Sequence, residues 1–351
     1  MGFPLKTSMS EILALTKAGD LGGATALIRR SLTGEGDRET GRREPEFAGL
    51  ALAQPDMPRR TAKPRAQPAS PGSMEKYSFK SEHGTLDYWL YVPSTLPVSA
   101  PLIIMLHGCT QSAADFAAGT QMNVLAEELG LIVAYPEQSR AANAQKCWNW
   151  FRSGDQNKGS GEPALIAGIT RAIMAGHPVD HGRIYVAGLS AGGAAASIMA
   201  YCYPELYAAA GIHSGLACGS ASSMPGAFSA MQGKSTGKSG QNRDYVPIIT
   251  FHGNRDSTVH PANSDQIHAI WATSPEISAL RRVEGEGVSP GGKSYRTTAL
   301  VDAENRSFAE HWEIEGAGHA WSGGSVTGSY TDNSGPDASR EMIRFFLQHR
   351  R

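Results

Sequence analysis

From residue 77 onward, short apolar runs alternate with stretches of helical periodicity. Tyr77 and Phe79, then Leu86, Tyr88, Leu90, Tyr91 and Val92, alternate or cluster as in antiparallel strands, and Pro93 closes the second run. Strand-like runs follow at 102–106, 131–135, 184–187, 208–212, 247–251 and 311–314. Between them, 123–129, 163–175, 192–200 and 263–272 read as helices, and 339–349 as a closing amphipathic helix. Such alternation predicts an α/β fold, a mostly parallel sheet with helices on both faces. The most apolar run, Pro101-Leu102-Ile103-Ile104-Met105-Leu106, reads as a parallel strand buried on both sides. Two glycine-rich polar stretches, 216–245 and 285–295, break the pattern and are expected to decorate the rim of the site.

The first 75 residues follow a different pattern. Ser10 is placed to cap a helix, Gly19-Asp20 interrupts it, and Leu21, Ala24, Ile28 and Leu32 share one face of a second helix. Residues 34–73 are rich in Arg, Pro, Gly and Glu and poor in large apolar side chains. The expected organisation is a short helical hairpin at 1–33, a disordered linker at 34–75 and one α/β domain at 76–351. No apolar run followed by a small-residue cleavage site is seen at the start, so the chain as given does not announce export by a signal peptide.

Composition narrows the function. A chain of 351 residues with 40% hydrophobic and 19% charged residues can build one large core. A formal net charge of -1 speaks against a nucleic-acid partner, and no run is long enough to span a membrane as a helix. Cys109, Cys147, Cys202 and Cys218 contain no Cys-x-x-Cys pair and no zinc-ligand spacing, so no metal site is expected. Two disulfides, in any of three connectivities, and four reduced thiols both fit the spacing.

Gly188-Leu189-Ser190-Ala191-Gly192 follows a strand-like run and precedes a small-residue helical run. A G-x-S-x-G sequence at that junction matches the nucleophile elbow of α/β-hydrolases, a strained turn that lifts the serine hydroxyl clear of the sheet. Such a hydroxyl needs a base. Downstream, Asp256 lies just past the 247–251 strand, and His319 lies on the glycine-flanked loop after the 311–314 strand. The order Ser, Asp, His is the hydrolase order. His319 would take and return the Ser190 proton while Asp256 holds the imidazole. The backbone N–H of Ala191 and that of Cys109, in His107-Gly108-Cys109-Thr110-Gln111, are the expected oxyanion donors. Of the other histidines, His107 and His252 end strands and read as structural.

With those motifs, Cys147-Trp148-Asn149-Trp150-Phe151 and Gly316-Ala317-Gly318-His319-Ala320-Trp321 in order, the chain resembles the poly(3-hydroxybutyrate) depolymerase family of esterases, to which feruloyl and acetylxylan esterases are related. The resemblance runs from about Tyr77 to the end. It implies an α/β-hydrolase domain that hydrolyses carboxylic esters without a cofactor, on short-chain polyhydroxyalkanoate polymer or oligomers, through an acyl-enzyme. It also implies Ser190, Asp256 and His319 as the triad, Cys109 and Ala191 as oxyanion donors, and a Cys109–Cys147 disulfide clamping the oxyanion loop. Trp148, Trp150 and Trp321 are candidates for an apolar wall for the acyl group, with Trp148 and Trp321 assigned to substrate binding and core packing the alternative reading for each. Family members are usually exported, which implies an extracellular location, with the cytoplasm as the alternative where no signal peptide is read. Alternative activities on this scaffold are a feruloyl or acetylxylan esterase, a serine peptidase or an acyltransferase. A non-catalytic binding protein on the same fold is a further alternative.

Overall fold

The computed structural model describes residues 72–235, 246–271 and 279–351. The expected hairpin at 1–33 and nearly all of the linker lie outside the described residues. The first strand, β1 (Ser73–Ser81), begins inside the stretch assigned to the linker and pairs along its whole length with β2 (Gly84–Val92).

The remaining strands and helices follow in the alternation read from the chain. They are β3 (Ala100–Leu106), α1 (Ala113–Thr120), α2 (Met122–Leu129), β4 (Ile132–Glu137), α3 (Gly161–Gly176), β5 (Val179–Leu189), α4 (Ala191–Cys202) and β6 (Ala209–His213). Then come α5 (Met224–Met231), β7 (Ile248–Gly253), α6 (Ala262–Trp271), β8 (Arg281–Val288), β9 (Ser294–Val301), β10 (Ser307–Ile314), two short strands β11 (Trp321–Ser322) and β12 (Thr331–Asp332), and α7 (Ala338–Phe346). Two helices run differently from the sequence pattern. The first, α1, is capped by the Ser112 hydroxyl accepting from Asp115 N–H, but its small residues carry little periodicity. The other, α5, sits inside the polar 216–245 stretch.

Ten strands form one sheet in the order β1-β2-β4-β3-β5-β6-β7-β10-β9-β8. The run from β4 to β10 is parallel, and antiparallel ribbons finish both edges. The 285–295 stretch is therefore a strand hairpin rather than a loop. Its glycines and exposed charged residues hide the alternation that identifies other strands. Its tip does reach the edge where the parallel strands end, with the Ser289 hydroxyl donating to Ser334 O and Lys293 paired with Asp332 at 2.6 Å.

Strand geometry explains why the central runs lack polar positions. Side chains alternate between faces, and both faces are covered. Leu102, Ile104 and Leu106 join α3 and α4 in one cluster, while Ile103 and Met105 join α1, α2 and α7 in the other. The closing helix α7 docks through Phe346, whose ring stacks on Tyr185 at 4.9 Å. No helix among the described residues is long and apolar enough to cross a membrane.

Burial pushes five histidines below their ordinary value: His107, His268 and His349 to about 4, His213 and His311 to about 3. The unfolded chain protonates these rings near 6.5 while the folded chain does not, so stability is present above 6.5 and is lost as pH falls toward 4. Glu162 acts in the opposite sense: burial and the Asp155 charge raise it to about 7, so its contribution declines as pH rises from 4.5 to 7. One group opposes five. The thermal midpoint is therefore expected to fall by about 5 °C or more between pH 6.5 and 4.5, which differential scanning fluorimetry checks.

Candidate active site

The parallel strands end in register, and their carboxyl ends bring the candidate residues to one edge. Leu189 of β5 pairs with His213 of β6, His213 pairs with Phe251 of β7, and Gly253 of β7 pairs with Ile314 of β10. Neighbouring strands lie about 4.8 Å apart, so loops leaving these ends converge. Ser190 follows β5, Asp256 follows β7 and His319 follows β10.

Ser190 has φ 58° and ψ -119°, outside the regions a residue with a side chain prefers. Both of its backbone groups are committed. Its N–H donates to His213 O at 2.9 Å, extending the sheet, and its carbonyl accepts from Ala194 N–H at 2.9 Å, opening α4. Sheet and helix together hold the strained turn. The flanking glycines are required by close approach. A Cβ at Gly188 would lie 2.3 Å from Gly192 O, and one at Gly192 would lie 2.0 Å from Leu106 O.

Asp256 is buried beneath His319, with Oδ2 accepting from His319 Nδ1 at 2.7 Å. Its Oδ1 accepts from Thr258 and Val259 N–H, both at 2.8 Å. Burial by itself raises the carboxyl, but hydrogen bonds from His252, His319 and Val259 outweigh it and hold Asp256 well below the usual carboxylate range. An ionised carboxylate only accepts, so His319 carries its proton on Nδ1 and leaves Nε2 as an acceptor. The two loops are stitched to each other. Asn254 N–H donates to Ile314 O at 3.0 Å, Arg255 N–H to Ala317 O at 3.0 Å, and Gly316 N–H to Asn254 Oδ1 at 2.8 Å.

No hydrogen bond joins Ser190 Oγ to His319 among the described residues. Such contacts often tighten only when substrate is bound. The serine and histidine loops meet instead through His213, whose carbonyl accepts Ser190 N–H and whose ring Nε2 accepts Ser322 N–H at 3.0 Å.

Cys109 sits across from the serine turn. A Cβ at Gly108 would lie 3.7 Å from Ser190 Cβ, so the loop that carries Cys109 passes directly beside Ser190. Ala191 is the first residue of α4, where N–H groups have no partner within the helix. The Cys109 loop is braced on three sides. A Cys109–Cys147 disulfide ties it to the 147–151 segment, Thr110 N–H donates to Gln145 O at 2.6 Å, and Trp148 Nε1–H donates to His107 O at 3.1 Å. Glu162 of α3 anchors the brace itself by accepting from Asn149 N–H at 2.7 Å and Gln138 Nε2 at 2.5 Å. Cys202 and Cys218 are buried thiols, so the described residues hold one bridge and two thiols, neither of the two patterns that the spacing left open, and the bridge is the pair the family resemblance implies.

The two tryptophans do not take the position expected of an acyl wall. Trp148 is 0% exposed and Trp321 is 1% exposed. Trp148 gives its indole N–H to His107 O, and Trp321 gives its own to Ser339 Oγ at 3.0 Å while its ring packs on Phe116 and His213. Buried rings whose polar handles are spent inside the protein offer no surface to a ligand, so both act as supports. Sequence proximity to the motifs could not separate lining from bracing. Tyr330 was not singled out from sequence, yet it is partly exposed and its hydroxyl lies 3.2 Å from Thr110 Oγ1, next to Cys109. Its φ of 51° offers a side chain where glycine is the ordinary choice, a signal invisible in one sequence.

His107 and His252 are structural, as read. His107 Nε2 accepts from Gln138 N–H at 3.1 Å, and His252 bonds Ser264 Oγ and Val259 O. Among the described residues no group of three His, Cys, Asp or Glu side chains is arranged to hold a metal.

Comparison with known proteins places these features in context. The profile of the esterase PHB depolymerase family matches residues 86–276. Poly(3-hydroxyalkanoate) depolymerase C of Paucimonas lemoignei is 36% identical over 261 residues, covering 69% of this chain and 60% of that protein. Feruloyl esterase B of Thermothelomyces thermophilus is 27% identical over 235 residues, covering 62% and 79%. A probable acetylxylan esterase A of Neosartorya fischeri is 31% identical over 207 residues, covering 54% and 55%. The chain thus spans less than two thirds of the depolymerase's own length. Among solved structures, an acetyl xylan esterase from Aspergillus awamori superposes with a TM-score of 0.62 at 20% identity, covering 79% of this chain and all of that one, a likeness of fold.

Removing the bridge tests the brace. A Cys109→Ala/Cys147→Ala variant is expected to lose about 2–4 kcal/mol of stability, measured by urea unfolding, because the disulfide closes a span of 38 residues in the unfolded chain.

Proposed function

The chain belongs to the esterase PHB depolymerase family, and from that premise we propose that it is a serine esterase working through an acyl-enzyme. The observation that carries this reading is the pairing of a strained serine turn at the start of α4 with an Asp256–His319 hydrogen bond at the adjoining strand ends. Ser190 Oγ attacks the ester carbonyl carbon as His319 Nε2 takes the hydroxyl proton. The carbonyl oxygen, now negative, is held by the N–H groups of Ala191 and Cys109. The intermediate collapses, the carbon–oxygen bond to the alcohol breaks, and His319 returns the proton to the departing alcohol. Water then attacks the acyl group with His319 again accepting a proton, releasing the acid and restoring Ser190. Asp256 stays ionised and stabilises the imidazolium in both steps.

The acyl group is assigned to short-chain hydroxyalkanoates, polymeric or oligomeric. The support is the higher identity, over the longer match, to the depolymerase. A carbohydrate-linked ester is the second reading, supported by the feruloyl and acetylxylan esterase relatives. Comparing kcat/KM for 3-hydroxybutyrate oligomers, short p-nitrophenyl esters, feruloyl esters and acetylated xylan separates them. The first reading expects the oligomers and short esters to lead. A clear preference for feruloyl esters or acetylated xylan moves the assignment to the second.

The serine mechanism has its own test. Ser190→Ala is expected to lower ester kcat by about 1,000-fold or more and to abolish fluorophosphonate labelling, with little change in thermal midpoint. Unchanged turnover in that variant removes Ser190 from the reaction.

A further inference from the structure

His213 is fully buried at the end of β6, between the strands that carry Ser190 and Asp256. It touches the two halves of the site through different atoms. The backbone carbonyl accepts Ser190 N–H at 2.9 Å. The ring Nε2 lies 3.0 Å from the N–H of Ser322, three residues beyond His319. The same ring is sandwiched between Phe251, at 5.8 Å and 14°, and Trp321, at 5.1 Å and 27°. Trp321 is two residues beyond His319.

We infer that His213 is a positioning residue that couples the nucleophile turn to the loop carrying the general base. The inference rests on the serine esterase reading.

The chemistry of the contacts sets the form of the ring. An amide N–H can only donate, so Nε2 must present its lone pair. The ring proton therefore sits on Nδ1, where Ser214 Oγ, 3.1 Å away, accepts it. Only the neutral ring in this tautomer can hold Ser322. Burial, with the nearby His252 and His319 adding to it, keeps the ring neutral by lowering it to about 3. Ser214 is itself buried at φ 48°, and its N–H donates to Phe251 O at 2.9 Å, so the tautomer-setting hydroxyl is fixed to β7. A buried apolar side chain of similar size could fill the same space. It could not accept from Ser322, and that difference separates coupling from packing.

Three variants test this by steady-state kinetics on a p-nitrophenyl ester and by amide hydrogen exchange at Ser322. His213→Met removes the acceptor and keeps much of the volume. Its kcat is expected to fall about 10- to 100-fold with KM within about threefold, and Ser322 exchange to accelerate at least about 10-fold. His213→Gln restores an acceptor and is expected to recover most of both losses. Ser214→Ala keeps the ring but frees its proton to move to Nε2, and is expected to lower kcat about two- to tenfold with faster Ser322 exchange. Equal impairment of His213→Gln and His213→Met, or lost activity with Ser322 still protected, overturns the inference. If His213→Met fails to fold, His213→Gln and Ser214→Ala still decide it: wild-type exchange and kcat in Ser214→Ala would refute the coupling. Absence of ester hydrolysis by the wild type would refute the esterase reading alone, because Ser322 exchange tests the link to His213 without any substrate.

Discussion

Everything at the site is arranged around a main chain that cannot relax at one residue. Ser190 lies in a conformation costing about 1–3 kcal/mol for a residue with a side chain, and it stays there because both of its backbone groups are already engaged. The sheet holds its N–H and the helix holds its carbonyl. Two glycines let the end of β3 approach to within a distance no Cβ would allow. Removing any one of these constraints would let the turn open. The doubly covered sheet is the reason they hold together, since β5 and β6 cannot shift register without moving apolar side chains on both faces.

The other components differ in how they are fixed. The Asp256 and His319 loops are held by backbone hydrogen bonds across two neighbouring strand ends, and by a carboxylate whose four close donors favour its charged form. The Cys109 loop, which leaves β3 on the other side of the serine strand, is held covalently through Cys147 and through the Trp148 indole, with Glu162 behind them. Such bracing suits the oxyanion role proposed for this loop, because fixed N–H groups need no reorganisation when charge develops beside them. Buried neutral imidazoles recur throughout as acceptors of backbone N–H groups: His107 for Gln138 and His213 for Ser322. Both bonds need a neutral ring, which burial favours.

The legible part of the sequence follows from burial. Strands covered on both faces must be apolar throughout, so 102–106 and 247–251 stood out without any alternation. The edge hairpin β8–β9 buries no residue of β8 and only Val301 of β9, carries glycines at 285 and 287 and charged residues on both strands, and so reads as loop. Helix α1 is built of small residues packed on most sides, so it lacks the stripe that marks an amphipathic helix. Ser190, Asp256 and His319 are legible as candidates because a strained turn demands glycines around it and because the chain order is constrained by the fold. Whether Trp148 and Trp321 line a site or pack in the core is not legible, because position near a motif does not report which way a ring faces.

The sequence by itself determined the class of fold, the serine turn and the order of the chemical groups, because each leaves a local mark: apolar runs, paired glycines, loops after strands. Tertiary structure alone decided which buried groups hold which loops. His213 and Ser322 are 109 residues apart in the chain, and Trp148 and His107 are 41 apart. Contacts at such separations exist only after the sheet has brought its strand ends into line, since nothing in either local sequence specifies the partner.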